Sequence, residues 1–407
     1  MSKLNPMKKM IKQITRNFGV EISRYHPIPH ENNVVSFKQK NGSQGNVLFS
    51  YIIKPFVSNG GEPHNIASSI IWECFQRVQT FLDLGYSVDV ISYLNTSFVP
   101  DRKYSFVLDI YKNLERIAPL LNDDCIKIFN PLWAHWLFNN YASHKRFLEF
   151  QQRKGVTIKA QRLLVPNLSI EYADYAIIKG NEFTIGTYRY ANKPLYKIPQ
   201  TTPILFPQPN GKDVESCRRN FLWLSGGGMI HKGLDLVLEA FSEMPDYHLY
   251  VCGDMHKEAD FERIYHKELY ETSNIHSIGW VNVESPEFAK IVNNCIGHIH
   301  PSCSESCSGS VIISMQAGLI PIASYESGVD VDDFGVILDD CSIDTIKKTV
   351  KMISSLPAEE LKNMALKAWE FTRLNHTRES SAEEFRKVIG QIIGYHFHSD
   401  KNKMVGK

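Results

Sequence analysis

The sequence is most restrictive in what it lacks. No run approaches the ~18 apolar residues that a membrane-spanning helix needs, so no spanning segment is predicted. The basic start is followed by no apolar stretch of the kind a secretory leader carries, and no leader is expected. Short-period repeats and low-complexity tracts are missing too, which argues against solenoids and disordered arrays. Neither sign of charge is in excess: 45 Lys and Arg face 44 Asp and Glu, a net charge of +1. The chain as a whole therefore has no pull towards nucleic acid. Its eight cysteines follow no regular spacing and sit mostly in apolar settings, so they read as reduced thiols of a cytoplasmic protein.

What is present is a chain of 407 residues, 43% hydrophobic and 22% charged, too long for one ordinary core. Residues 1–45 read as a basic amphipathic helix and a linker. Met7, Met10, Ile11, Ile14 and Phe18 fall on one stripe, with Lys8, Lys9, Lys12 and Arg16 mainly off it. Such a helix suits an anionic membrane surface or docking on its own domain. From residue 46 strands and helices alternate. Strands are predicted at 46–53, 87–92, 104–111, 125–130, 174–180 and 195–199, with helical patterns between most of them. The Pro-, Thr- and Asn-containing stretch "QTTPILFPQPNGKD" (200–213) then separates a second series, with strands at 220–225, 247–253, 275–279, 296–301 and 319–324. Alternation of this kind predicts parallel sheets covered on both faces. The fold class is therefore α/β, with two doubly wound, Rossmann-like domains at 46–200 and 201–375. A helical C-terminal region follows, in which residues 376–407 form a helix packing back and a basic tail.

In open parallel sheets, ligands bind beyond the carboxyl ends of the strands. Two loops of the second series lie at such ends. In "PSCSESCSGSVIIS", Glu305 stands among small residues, and Ser308, Gly309 and Ser310 open a helix whose free amides suit an anion. Glu305 would repel phosphate but can accept from hydroxyls. In "LSGGGMIHKGLDLVLEAF", Gly226, Gly227 and Gly228 let the backbone pass close to a ligand, and Lys232 can neutralise a diphosphate. Phosphate beside polyhydroxyl describes a nucleotide sugar. A capped helix start with an incidental glutamate is the plainer alternative.

Residues 221–324 resemble the donor-binding half of glycosyltransferase family 4, retaining enzymes of the GT-B architecture. "HKGLDLVLEAF", "GW" (279–280), "PSCSE" and "MQAGLIPIAS" carry the likeness. In the first half, "NVLFSYIIKPF" and "LGYSVDVIS" resemble bacterial polysaccharide glycosyltransferases. The resemblance implies two domains facing a central cleft, acceptor on the first and nucleotide-sugar donor, UDP- or GDP-linked, on the second. It implies that Lys232 contacts the donor diphosphate, Glu305 the sugar hydroxyls, and the amides of Ser308 to Ser310 the phosphates. The chain departs from the family at two positions. Gly227 stands where an arginine is usual, five residues before the lysine. Ile313 stands where a second glutamate is usual, eight residues after the first.

The resemblance also implies a catalytic histidine after a strand of the first domain, for which His135, after "CIKIFN", is the candidate; a structural histidine beside Trp133 and Trp136 is the plainer alternative. Gly60, Gly61 and His64 are the candidates on the acceptor side. Two metal-like patterns read as decoys: "CIGHIHPSCSESC" matches no standard zinc spacing, and "DVDD" (330–333) lies in a polar loop. No metal and no other cofactor is expected. The implied function is transfer of a sugar from a nucleotide sugar to a glycan or lipid-linked acceptor in polysaccharide biosynthesis, on the cytoplasmic face of a membrane. A non-catalytic scaffold of the same architecture and a sugar-nucleotide epimerase are the alternatives.

Overall fold

The computed structural model describes residues 32–40, 42–57 and 68–404, with side chains to residue 396. The basic helix expected at residues 7–18 lies outside the described residues, as do Gly60, Gly61 and His64.

The first sheet contains β1 (Val34–Phe37), β2 (Asn46–Tyr51), β3 (Ser87–Ser92), β4 (Phe106–Asp109), β5 (Ile126–Phe129), β6 (Tyr175–Lys179) and β7 (Leu195–Ile198). Its order is β1-β3-β2-β4-β5-β6-β7, parallel except for β1, which runs antiparallel along the β3 edge. Strand β2 shows why these runs become central strands. Val47, Phe49 and Tyr51 enter one core and Leu48 the opposite one, so both faces are covered and the sequence is almost continuously apolar. Helix α1 (Ser69–Asp83) presses Cys74, Val78 and Phe81 into the first of these cores, and it ends where Gly85 takes a φ of +84°.

The second sheet contains β8 (Asn220–Leu224), β9 (His248–Cys252), β10 (Ile275–Gly279), β11 (Gly297–His300), β12 (Ile320–Ala323) and β13 (Val336–Ile337). All pairs are parallel and the order is β10-β9-β8-β11-β12-β13. After β8 the chain winds outward through β9 and β10, then returns to place β11 on the other side of β8. The loops leaving β8 and β11 thus diverge and open a crevice between them, the topological switch point of a doubly wound sheet. These are the two loops singled out by the sequence.

Helix α2 (Trp136–Lys154) belongs to the first half of the chain, yet its Phe150 is fully buried in the core of the second domain, with ring centroids 6.3 Å from Tyr265. In the second domain, α3 (Leu234–Ser242) follows β8 and α4 (Gly309–Gln316) follows β11. The last helix, α5 (Arg378–Met404), turns back to the first sheet. Phe385, Val388, Ile389 and Ile392 recur at i, i+3, i+4 and i+7 and enter the core that holds α1. Burying four such side chains is worth at most roughly 6–12 kcal/mol, enough to fix the end of the chain on the first domain. Among the described residues, no helix is long and apolar enough to cross a membrane.

Candidate functional site

The loop after β8 is shaped by its glycines. Gly227, Gly228 and Gly233 have φ of +153°, +80° and +74°, values that side-chain-bearing residues rarely adopt. Lys232 N donates to Gly228 O at 2.8 Å, which turns the chain so that the lysine side chain leaves just before α3. Cys303 N donates to His231 O at 2.9 Å, tying this loop to the one after β11. The two loops also touch at Gly233. A Cβ there would lie 2.6 Å from Pro301 O and 3.0 Å from an Arg146 guanidinium nitrogen. Gly233→Ala should therefore lower stability by about 1–3 kcal/mol, seen as a lower thermal midpoint. An unchanged midpoint would show that the loops can part freely.

Glu305 lies between two cations. Lys232 Nζ is 3.1 Å from its Oε1, and Arg162 Nη2 is 3.4 Å from its Oε2. Ser302 Oγ donates to Oε1 at 3.4 Å. The Lys232 and Glu305 side chains are only 12% and 9% exposed. Sequence reasoning placed neither residue in a core and gave them separate parts of a ligand; the folded chain buries them and pairs them directly. Burial alone would raise the Glu305 pKa, but Lys232 and Arg162 outweigh it and hold the carboxyl well below the usual range. Burial lowers the Lys232 pKa, and Glu305 opposes that shift. Two cations around one carboxylate leave a net charge of +1, a surplus available to an incoming anion.

Residues 217–370 match the family model of the glycosyl transferases group 1. The matched residues span most of the second domain, which is similar to that family. The described residues have the GT-B architecture. The chain is similar to sucrose-phosphate synthase from Thermosynechococcus elongatus, with a TM-score of 0.58 and 11% identity over 86% of this chain and 100% of that one. It is similar to HepE from Anabaena, described in complex with UDP and glucose, with a TM-score of 0.52 and 11% identity over 85% and 100% of the two chains. WaaG, described as a glycosyltransferase involved in lipopolysaccharide biosynthesis, gives a TM-score of 0.52 and 13% identity over 84% and 99%. No curated protein matches the sequence.

The other predicted residues of the second domain are placed less simply. Gly226 is exposed at the tip of its loop. At Gly228, where the backbone was expected to pass close to a ligand, the amide donates to the Glu258 carboxylate, as does the Met229 amide. The Ser308 amide donates to Ser327 O at 2.9 Å, so it is already engaged. Gly309 and Ser310 are half-exposed at the first turn of α4, where backbone N–H groups have no intrahelical partner. A Cβ on Gly309 would meet nothing within 4 Å. Ile313 sits half-buried against the apolar cluster of Leu224, Cys252 and Phe288, a packing role rather than a polar grip.

His135 lies in the first domain as the N-cap of α2. Its Nδ1 accepts from Leu137 N at 3.3 Å and its Nε2 is 3.0 Å from the Tyr190 hydroxyl, which donates to Glu171 at 2.6 Å. These bonds assign the proton to Nε2, and burial lowers the imidazole pKa. Both ring nitrogens are engaged within the first domain.

Sequence reasoning missed His231, although it adjoins Lys232. Its Nε2 is 2.6 Å from Ser304 O and its Nδ1 is 2.7 Å from Ser143 Oγ on α2, so a fully buried imidazole bridges the two loops and the first domain. Burial, aided by the Arg162 charge, pushes its pKa down to about 3. His298 and His300 share a strand face, with rings 5.5 Å apart. Among the described residues, no group of three His, Cys, Asp or Glu is placed to hold a metal ion.

Proposed function

We propose that the chain is a retaining glycosyltransferase. It moves a sugar from a nucleotide-sugar donor to a glycan or lipid-linked acceptor, in polysaccharide assembly at the cytoplasmic face of a membrane. The observation that carries this reading is the Arg162–Glu305–Lys232 cluster at the switch point of the second sheet, beside the open start of α4. HepE, which has the same fold and is described with UDP-glucose, supports a nucleoside diphosphate sugar as the donor. Retention rests on the family resemblance.

In this reading the diphosphate lies over Lys232 and the amides of Gly309 and Ser310, and Glu305 faces sugar hydroxyls. A pocket of about 420 Å³ between the ends of β9 and β10, with Trp280 68% exposed at its rim, has room for the base. In the transfer step, the bond from the anomeric carbon to the diphosphate oxygen breaks and its electron pair stays on the diphosphate. The acceptor oxygen bonds the carbon, and the acceptor proton leaves to the diphosphate. Fixed cations and helix amides stabilise the charge that develops, without a metal.

One feature favours a non-catalytic scaffold instead: the Glu258 carboxylate already occupies the glycine-loop amides. Incubation with a panel of UDP- and GDP-sugars in EDTA separates the readings. Transfer, or slow donor hydrolysis, is expected. An epimerised sugar would assign the rival enzyme class. Binding without chemistry would assign the scaffold, and activity restored only by added metal would overturn the metal-free step.

A further inference from the structure

On the glycine loop of the second domain, position 227 is glycine where the family resemblance implies a second cation beside Lys232. The fold brings one from elsewhere. Arg162 lies in the segment that follows α2, and its side chain reaches across to the second domain. Its guanidinium is 3.4 Å from Glu305 Oε2, on the side of the carboxylate opposite to Lys232. Its stem lies along the glycine loop: a Cβ on Gly228 would be 2.2 Å from Arg162 Cδ and 3.1 Å from Cγ. Glycine at 228 is therefore what admits the arginine.

The backbone holds Arg162 there at a cost. Its φ is +60°, a left-handed conformation uncommon outside glycine and asparagine. Asn139 on α2 donates to Arg162 O at 2.9 Å. Asn140 bonds both backbone groups of Leu164, each at 2.8 Å. Tyr111 accepts from Val165 N at 2.8 Å. Backbone strain that is pinned from several sides is the kind that clusters at functional sites. The guanidinium Nε is buried without a hydrogen-bond partner, while the side chain as a whole is 30% exposed, so the group has donors to spare.

We propose that Arg162, supplied by the first domain, is the second cation of the diphosphate site. It stands in for the arginine missing at position 227. On donor binding its guanidinium shares its donors between Glu305 and a phosphate oxygen, and it stabilises the diphosphate as the sugar leaves. Because one cation comes from each domain, the diphosphate site is complete only when the two domains are together. The inference rests on the nucleotide-sugar reading above.

Calorimetry with UDP, GDP and the matching monophosphate tests it on the full-length protein. Arg162→Gly removes the side chain and relieves the left-handed backbone, so the variant should stay folded. It should weaken binding of the diphosphate about tenfold or more, a charge-assisted bond being lost, and change monophosphate affinity less than about threefold. Arg162→Lys should recover part of the loss. A merely structural arginine would lower the thermal midpoint and leave this diphosphate-to-monophosphate difference unmoved. If Arg162→Gly binds the diphosphate like wild type while Lys232→Ala does not, the inference falls and the donor reading stands. If wild type binds neither UDP nor GDP, both fall.

Discussion

Lys232→Ala should weaken binding of a nucleoside diphosphate by about tenfold or more, whereas Glu305→Gln should leave that affinity intact or tighten it. The sign follows from the charge of the cluster. Lys232, Arg162 and Glu305 sum to +1; removing the lysine leaves zero, and neutralising the glutamate leaves +2. A charge-assisted hydrogen bond is worth ~1.5–3 kcal/mol, which sets the size of the first effect. Catalysis should divide differently. Glu305→Gln should lower transfer strongly, because the contact with the reacting sugar loses its charge. Neither change will be silent in stability, since each leaves a mostly buried ion short of a partner. Thermal midpoints should fall in both variants, and nucleoside diphosphate should restore less of the loss in Lys232→Ala. Equal affinity for the diphosphate in wild type and both variants would remove the cluster from the donor site.

Acidification below pH 6.5 should remove the stability that the buried, neutral imidazole of His231 contributes. His231 is kept neutral in the fold, with a pKa down to about 3, and burial holds His298 well below its usual value. In the unfolded chain both titrate near pH 6.5. Below that pH the unfolded state therefore binds protons that the folded state refuses. The stability these groups contribute is complete above about pH 6.5 and is lost as pH falls towards their folded values. His231 forfeits about 1.4 kcal/mol per pH unit, roughly 2 kcal/mol by pH 5, and the buried Asp109 and Asp235, raised by burial to about 6, offset part of this by taking up protons in the fold. Denaturant midpoints measured between pH 7.5 and 5 should fall less in His231→Gln than in the wild type. His231→Gln should reduce the slope by one proton. Equal slopes in wild type and His231→Gln would mean that this imidazole is reached by solvent and protonates in the fold.

Much of the architecture was legible in the sequence because central parallel strands are apolar on both faces. Runs such as "VLFSY" and "FLWLS" announce themselves, and Gly85 and Gly155 mark helix ends. Strand β1 escaped because an antiparallel edge of four residues is half-exposed, and β13 because it has only two residues. Within the site, Lys232 and Glu305 were readable from their loops. Their direct pairing was not, since it depends on how two crossovers diverge from neighbouring strands. Arg162 and Glu258 were invisible for the same reason: neither stands in a motif, and only the tertiary fold brings them to the glycine loop.

Helix α2 has a consequence for how the protein can be divided. Phe150 is fully buried in the second core, and Arg153 pairs with the buried carboxylate of Asp235. Arg146 donates to Pro301 O at 3.0 Å. A fragment cut at the proline-containing stretch near residue 201 would leave an apolar socket open and Asp235 without Arg153. The stretch is a boundary in sequence but not a mechanical one. Any opening of the cleft has to part Phe150, Arg146 and Arg153 from the second domain or to carry α2 along with it.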